Sequence, residues 1–276
     1  MVRFHFYPFL SLPNAQFNVS VSGFSLLVDF HVPNTTNSPL IKEFLLTIDQ
    51  PKFEIHFTPS KPSSFAFVNA IEAFNAPQNF PSNSSVLHTI HRINIGGPKL
   101  TQDNDTLLRN WVGDDDYLYF KGAARNSTLY ESVPKYLEGG ADEFTAPNIV
   151  YQTAKQLNKD GDHTENNLFN ITWRFNVTKN ASHFVRAHFC DIVNMVQSYG
   201  KFNLFVDEIL GVISPVSVSP QFATPFYRDV TLESDDSGFM SISIGPRSDS
   251  DSQDIIPFLN GLEIMEIMKD LSLSVP

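Results

Sequence analysis

The sequence predicts an all-β protein: a jelly-roll β-sandwich in which one complete domain follows the C-terminal part of a second. Three observations carry this reading. Short segments alternate apolar and polar residues with period two. Clusters of Gly, Pro, Asn, Asp and Ser separate them. Several strand motifs recur, in order, at a nearly constant offset.

Taken in order, the alternating segments are Val2-Arg3-Phe4-His5-Phe6, Glu54-Ile55-His56-Phe57-Thr58, the stretch Val86 to Ile95, Arg174-Phe175-Asn176-Val177-Thr178 and Ser241-Ile242-Ser243-Ile244. Asn94-Ile95-Gly96-Gly97-Pro98 ends the third. Paired glycines permit a tight exit from a strand, and no Lys-Ser/Thr follows to make a phosphate loop. One helix is expected, Pro147 to Leu157, with Pro at its start and apolar residues at helical spacing. Many short strands with little helix point to a sandwich of jelly-roll type.

The repeat sets the domain plan. Val2-Arg3-Phe4-His5-Phe6 recurs as Val185-Arg186-Ala187-His188-Phe189, and Phe17-Asn18-Val19 as Phe202-Asn203-Leu204. Thr58-Pro59 matches Gly245-Pro246, and Phe67-Val68-Asn69-Ala70-Ile71-Glu72 matches Phe258-Leu259-Asn260-Gly261-Leu262-Glu263. The second copy extends upstream to about Val86. Residues 1–76 therefore read as the C-terminal part of a first domain, 77–85 as a linker, 86–270 as a complete second domain and 271–276 as a tail. On this reading Phe4, Phe6, Phe17, Leu26, Phe30, Phe44, Leu46, Phe53, Ile55 and Phe57 lose partners, leaving the first segment poorly folded alone.

Composition narrows the function. Of 276 residues 42% are hydrophobic and only 18% charged, with 25 Phe, which suits sheet cores and excludes a coiled coil. A net charge of −11 removes the electrostatic footprint for nucleic acid or anionic lipid. Cys190 is the one cysteine, so no intramolecular disulfide forms. No apolar run is long enough for a membrane span, and the N-terminus lacks a signal-peptide core. The single cysteine suits an intracellular protein or a large secreted one that needs no disulfide. Against the intracellular alternative stand eight Asn-x-Ser/Thr sequons, at Asn18, Asn34, Asn83, Asn104, Asn126, Asn170, Asn176 and Asn180. With 42 Ser plus Thr, chance would give roughly three. The excess points to passage through the secretory pathway.

Trp111-Val112-Gly113-Asp114-Asp115-Asp116-Tyr117-Leu118-Tyr119-Phe120 is the most distinctive polar and aromatic cluster. Exposed rings stack on sugar C–H faces while carboxylates accept hydroxyl hydrogen bonds, so Trp111, Asp114, Asp115, Asp116, Tyr117 and Tyr119 are candidate ligand contacts. A solvated acidic turn is the plain alternative. Three consecutive Asp do not fit an EF-hand, and sequence neighbours on a strand do not face each other as catalytic carboxylates must. His5 and His188 occupy matching repeat positions, which suggests a shared packing role. His188 with Cys190 is an incomplete zinc set. No catalytic residue, metal site or cofactor is assigned, and no Gly-x-Ser-x-Gly elbow is present. A carbohydrate-active hydrolase on a jelly roll and a non-functional gene fragment are the competing readings.

Together these landmarks resemble the extracellular region of plant malectin-like receptor kinases of the Feronia and Theseus type. The residues that carry the likeness run from Val2-Arg3-Phe4-His5-Phe6-Tyr7-Pro8-Phe9 through Phe57-Thr58-Pro59-Ser60, Ser63 to Glu72 and Ile93 to Pro98. They continue with Asn104-Asp105-Thr106, Trp111-Val112, Asp114-Asp115-Asp116, Tyr151-Gln152-Thr153-Ala154, Asn170-Ile171-Thr172-Trp173, Val185 to Asp191 and Leu259 to Glu263. The resemblance implies tandem malectin-like jelly rolls on the extracellular face of the plasma membrane or in the cell wall. It implies binding of pectin-like wall carbohydrate or of rapid alkalinisation factor peptides with a glycosylphosphatidylinositol-anchored co-receptor. The kinase of such receptors has no counterpart motif here, so no enzyme activity is implied for this chain. No residue-by-residue match to the glucose site of animal malectin is present.

Overall fold

The first strand, Val2–Phe6, is buried at every position but His5, and strict alternation of buried and half-buried residues first appears over Phe17–Val21. The computed structural model describes residues 1–7, 15–32, 39–48, 51–76, 80, 86–158, 170–194, 200–218, 221–247 and 255–268. Its strands are β1 (Val2–Phe6), β2 (Phe17–Val21), β3 (Phe24–Phe30), β4 (Leu40–Leu45), β5 (Ile55–Pro59), β6 (Ala70–Ala73), β7 (Val86–Asn94), β8 (Val112–Gly113) and β9 (Ala124–Asn126). They continue as β10 (Lys155–Leu157), β11 (Ile171–Asn176), β12 (Ser182–Cys190), β13 (Phe202–Val206), β14 (Ile209–Ile213), β15 (Pro225–Glu233), β16 (Phe239–Pro246), β17 (Phe258–Leu259) and β18 (Gly261–Met268). Helices are short: α1 (Asn148–Gln152) and α2 (Pro215–Val218). The chain divides into two compact units, residues 1–89 with 265–276, and residues 90–264.

In the first unit β1 pairs antiparallel with β4 on one side and β6 on the other, and β4 pairs with the leading residues of β7. A second sheet runs β3-β2-β5. Between them Phe4, Phe6, Phe17, Leu26 and Phe44 are buried in a phenylalanine cluster, with Phe6 and Phe30 centroids 4.9 Å apart and Phe4 edge-on to Phe57 at 5.6 Å. Offset and edge-on rings are the favourable arrangements for such pairs. The expected loss of partners is therefore confined. Phe30, Leu46, Ile55 and Phe57 are half-buried against this core, and only Phe53, at 44%, stands exposed. The physical reason is that Val86 and Met268, from β7 and β18, pack into it.

The second unit sets β15, β12, β18 and β7 side by side, and β11-β16-β13-β14 as a second sheet. Inward residues of β11 (Ile171, Trp173, Phe175) and β13 (Phe202, Leu204, Val206) alternate with open ones, as a sandwich requires. β12 is buried throughout Phe184–Cys190. Strands β17, β10 and β9 form a small third sheet.

The repeat is visible in register. Phe17↔Pro59, Asn18↔Thr58 and Val19↔Phe57 join β2 to β5; Phe202↔Pro246, Asn203↔Gly245 and Leu204↔Ile244 join β13 to β16. The helix expected over Pro147 to Leu157 is corrected. It ends at Gln152, Thr153 is extended, and Lys155–Leu157 is strand β10. β10 recovers its backbone bonds from β9 and β17 on either side, which outweighs helical spacing in a short segment.

Candidate binding site in the loop from Trp111 to Phe120

The loop is held from beneath. Trp111 is fully buried, and its indole Nε1–H donates to Asp105 Oδ2 at 2.7 Å. Arg109, also buried, grips both oxygens of Asp105 at 2.9 and 3.0 Å, and its guanidinium lies 5.6 Å from the Trp111 ring. Arg92 stands as close from elsewhere in the same unit, and His188 meets the indole edge-on at 5.7 Å. Trp111 is therefore an anchor of the core, out of reach of a ligand.

Asp114 is buried as well. Its carboxylate accepts from the Gly96 N–H at 2.9 Å and from the Trp173 indole at 2.8 Å, with Lys155 Nζ at 3.5 Å. This ties the Gly-Gly turn to the acidic loop. Gly96 sits at φ +71, and a Cβ there would collide with the Ala154 carbonyl, so the turn needs glycine. Asp115 is exposed and pairs with Lys155 Nζ at 2.9 Å, an ion pair that holds its carboxyl below the ordinary carboxylate value. Lys155 also donates to Asn126 Oδ1 at 2.6 Å. Asp116 is exposed.

The two tyrosines part company. Tyr117 is half-buried and stacks on Phe175 at 4.9 Å; burial, then Asp116, push its hydroxyl pKa up. Tyr119 is 56% exposed, with the Arg174 guanidinium 4.1 Å from its ring. Of the six candidates, the structure brings Asp115, Asp116 and Tyr119 to the surface together with Phe120, and takes Trp111 and Asp114 inside. The mistaken expectation of an exposed Trp111 came from reading a polar neighbourhood as a surface one. Asp105 is the buried carboxylate that makes that neighbourhood polar.

A second polar network lies wholly inside. Glu263 accepts from Arg92 Nε at 2.7 Å and faces His188 Nε2 at 3.3 Å, while Tyr151 Oη lies 3.1 Å from His188 Nδ1. Burial raises the Tyr151 hydroxyl pKa well above its usual range, so it keeps its proton and donates to Nδ1. Burial lowers the His188 pKa, leaving a neutral imidazole whose Nε2–H donates to Glu263. Burial would raise Glu263, but Arg92 first and His188 next outweigh it and hold the carboxyl far below the carboxylate range. Glu263, His188 and Tyr151 have no exposure and Arg92 is buried too, so the set braces the fold from inside. Cys190 is buried, which pushes its thiol pKa up and leaves it unreactive. Among the described residues no group of three or more His, Cys, Asp or Glu is placed to hold a metal.

Of the sequons, Asn34 and Asn83 lie outside the described residues. Asn104, Asn126, Asn176 and Asn180 are exposed, and Asn18 and Asn170 are half-buried. The Asn18 side-chain carbonyl accepts the Asp29 N–H at 2.8 Å.

A pair of facing antiparallel sheets, braced by buried ion networks and carrying its loops outward, is the build of a jelly-roll recognition domain. The chain belongs to the malectin-like family, whose Malectin-like domain matches residues 1–267. It is 41% identical over 301 residues to a receptor-like protein kinase of Arabidopsis thaliana, an alignment covering 99% of this chain and 36% of that protein. To THESEUS 1 of Arabidopsis thaliana, a receptor-like protein kinase, it is 32% identical over 293 residues, covering 98% of this chain and 34% of that one. The chain thus spans about a third of the length of these curated relatives. Among solved structures it matches the plant receptor-like kinase FER, crystallised in complex with the peptide RALF23 and with LLG2, at a TM-score of 0.84. That match has 26% identity over 97% of this chain and 78% of the other. The ANX2 ectodomain from Arabidopsis thaliana matches with the same TM-score, identity and coverage of both chains. The chain corresponds to the ectodomain region of these receptors, and no described helix is long and apolar enough to cross a membrane.

Proposed function

We propose that this chain is a non-enzymatic extracellular binding module. It acts as receptor ectodomain at the plasma membrane or cell wall and recognises a basic signalling peptide of the rapid alkalinisation factor type together with a glycosylphosphatidylinositol-anchored co-receptor. The observation that carries this is the match to FER, a protein crystallised with RALF23 and LLG2, over 97% of the chain. The charge supports it: the net −11 suits a basic partner. Exposed Asp116 and Tyr119 are the contacts put forward, with Asp115 beside them.

A second reading, binding of pectin-like wall carbohydrate, is favoured by one feature. Tyr119 offers an open ring, backed by Arg174, beside acceptor carboxylates. Titrating the purified chain with basic peptides and with pectin fragments separates the two. The peptide reading expects salt-sensitive peptide binding that weakens in Asp116→Asn. Binding of pectin fragments alone, lost in Tyr119→Ala, would replace it. Sugar release from wall polysaccharide would instead establish an enzyme.

A further inference from the structure

The sheet β11-β16-β13-β14 has two edges, and they are finished differently. The β11 edge is covered. Tyr119 N–H donates to the Thr172 carbonyl and Arg174 N–H to the Tyr117 carbonyl, each at 2.9 Å, and Leu118 bridges to Trp173. Sequons at Asn170 and Asn176 stand at either end of that strand. The other edge, β14, pairs only with β13 among the described residues, and residues 200–218 contain no sequon.

The hairpin through Asp207 and Glu208 fixes which groups of β14 face outward. Its register is Val206↔Ile209, Leu204↔Gly211 and Phe202↔Ile213. In a two-residue hairpin these alternate pairs carry the ladder bonds. Leu210 and Val212 therefore aim both N–H and C=O away from β13. The strand is also open and apolar: Ile209 is 40%, Leu210 54% and Val212 42% exposed. It carries no charge, proline or bulge of the kind that blunts a free edge.

We propose that this edge is a self-association surface whose occupant is β14 of a second copy, paired antiparallel about a two-fold axis at Gly211. Three observations select a second copy over an unrelated strand. Ile209-Leu210-Gly211-Val212-Ile213 reads nearly the same in both directions. Ile209 of one copy then opposes Ile213 of the other, and Leu210 opposes Val212, satisfying every outward backbone group. The ends are complementary in charge, because the register carries acidic Glu208 of one copy toward the end of the hairpin where Lys201 stands in the other. Gly211 is not needed by the monomer: its φ is ordinary, and a Cβ there would sit 3.6 Å from the Leu204 carbonyl oxygen, a normal contact. On the axis it occupies a non-hydrogen-bonded site, where facing Cα atoms approach to about 4.5 Å.

Sedimentation equilibrium of the full chain over a wide concentration range tests this. The wild type is expected to shift from monomer to dimer. Leu210→Lys, which places a charge on the edge, and Val212→Pro, which removes an outward N–H, are expected to weaken the dimer about tenfold or more without moving the melting temperature. Gly211→Cys is expected to form a reducible dimer on mild oxidation, since a Cα separation of about 4.5 Å suits a disulfide and Cys190 is buried. A wild type that stays monomeric at every concentration while Gly211→Cys fails to cross-link overturns the proposal. So does a dimer untouched by Leu210→Lys, or an edge that takes up an added extended peptide but never a second copy.

Discussion

Asn260 and Asn69 do the same job in the two copies of one motif. Asn260 Oδ1 accepts the Cys190 N–H at 2.7 Å while its own N–H donates to the His188 carbonyl at 3.1 Å. Asn69 Oδ1 accepts the Tyr7 N–H at 2.6 Å while its N–H donates to the His5 carbonyl at 2.9 Å. The carboxylate three residues on follows suit. Glu263 faces His188 at 3.3 Å, and Glu72 faces His5 at 3.0 Å. Each asparagine side chain continues a strand ladder where the partner strand leaves off.

The two copies differ in burial, and that difference sets the first prediction. Asn260 has no exposure and a further bond from Nδ2 to the Thr153 carbonyl at 2.8 Å, whereas Asn69 is exposed. Asn260→Ala leaves a buried N–H and a buried carbonyl without partners, at about 2–4 kcal/mol. At Asn69 water replaces the lost bond, and the same change costs under about 1 kcal/mol. Urea unfolding of the two variants checks the contrast.

Adjacent aspartates in the acidic loop should behave as differently. Asp114→Ala orphans the buried Trp173 indole N–H and the N–H of half-buried Gly96, for about 2–4 kcal/mol. Asp115→Ala removes an ion pair whose carboxylate is open to water, worth at most about 1 kcal/mol. Thermal unfolding followed by tryptophan fluorescence should show an early transition for the first variant and an unchanged one for the second.

Much of the fold was legible because the repeat preserved register residues: Phe17 and Phe202 each pair with a proline of the matching strand. Strands such as β16 announced themselves by alternation, here in Ser241-Ile242-Ser243-Ile244. The third sheet did not. β10 is three residues long, and its extended shape depends on β9 and β17, which are distant in sequence. The candidate site was legible as a segment but not residue by residue. Depth follows from partners such as Asp105, Trp173 and Lys155, and single-sequence spacing does not reveal which Asp of Asp114-Asp115-Asp116 meets them. Arg174, which backs Tyr119 from β11, gave no signal either, since an exposed arginine on an edge strand reads as a solvated one.

The paired glycines of the turn were read as structural, and substitution tests that. At Gly96 the backbone is left-handed and a Cβ would strike the Ala154 carbonyl; at Gly97 it would press on the Asn94 and Thr153 side chains. Gly96→Ala should cost more than the roughly 1 kcal/mol of an ordinary glycine replacement, since strain and collision add. Gly113→Ala, whose Cβ would lie 3.4 Å from the Gly97 carbonyl oxygen, should be far milder. Comparing yields of folded protein and urea midpoints distinguishes the two.

Acid should loosen the first unit through His88. Its ring stacks on Phe44 at 4.8 Å, and burial lowers its pKa to about 4, with nearby Lys42 adding to the shift and Glu43 opposing it. The unfolded chain, with an ordinary histidine pKa of about 6.5, takes up a proton that the folded chain resists. The stability this group supports is therefore whole above about pH 6.5 and is lost as pH falls toward about 4, to at most about 3 kcal/mol. Glu263 works in the same direction at lower pH, because unfolding returns its carboxyl to the ordinary range, where it takes up a proton that the folded carboxylate resists. Replacing His88 by Gln removes the titration. Melting temperatures measured between pH 7.5 and 4.5, about the range of the histidine transition, should then fall less steeply than in the wild type. Equal slopes would mean that the acid sensitivity resides elsewhere, in carboxylates such as Glu72, whose pairs with Arg3 and His5 outweigh burial and hold its pKa low.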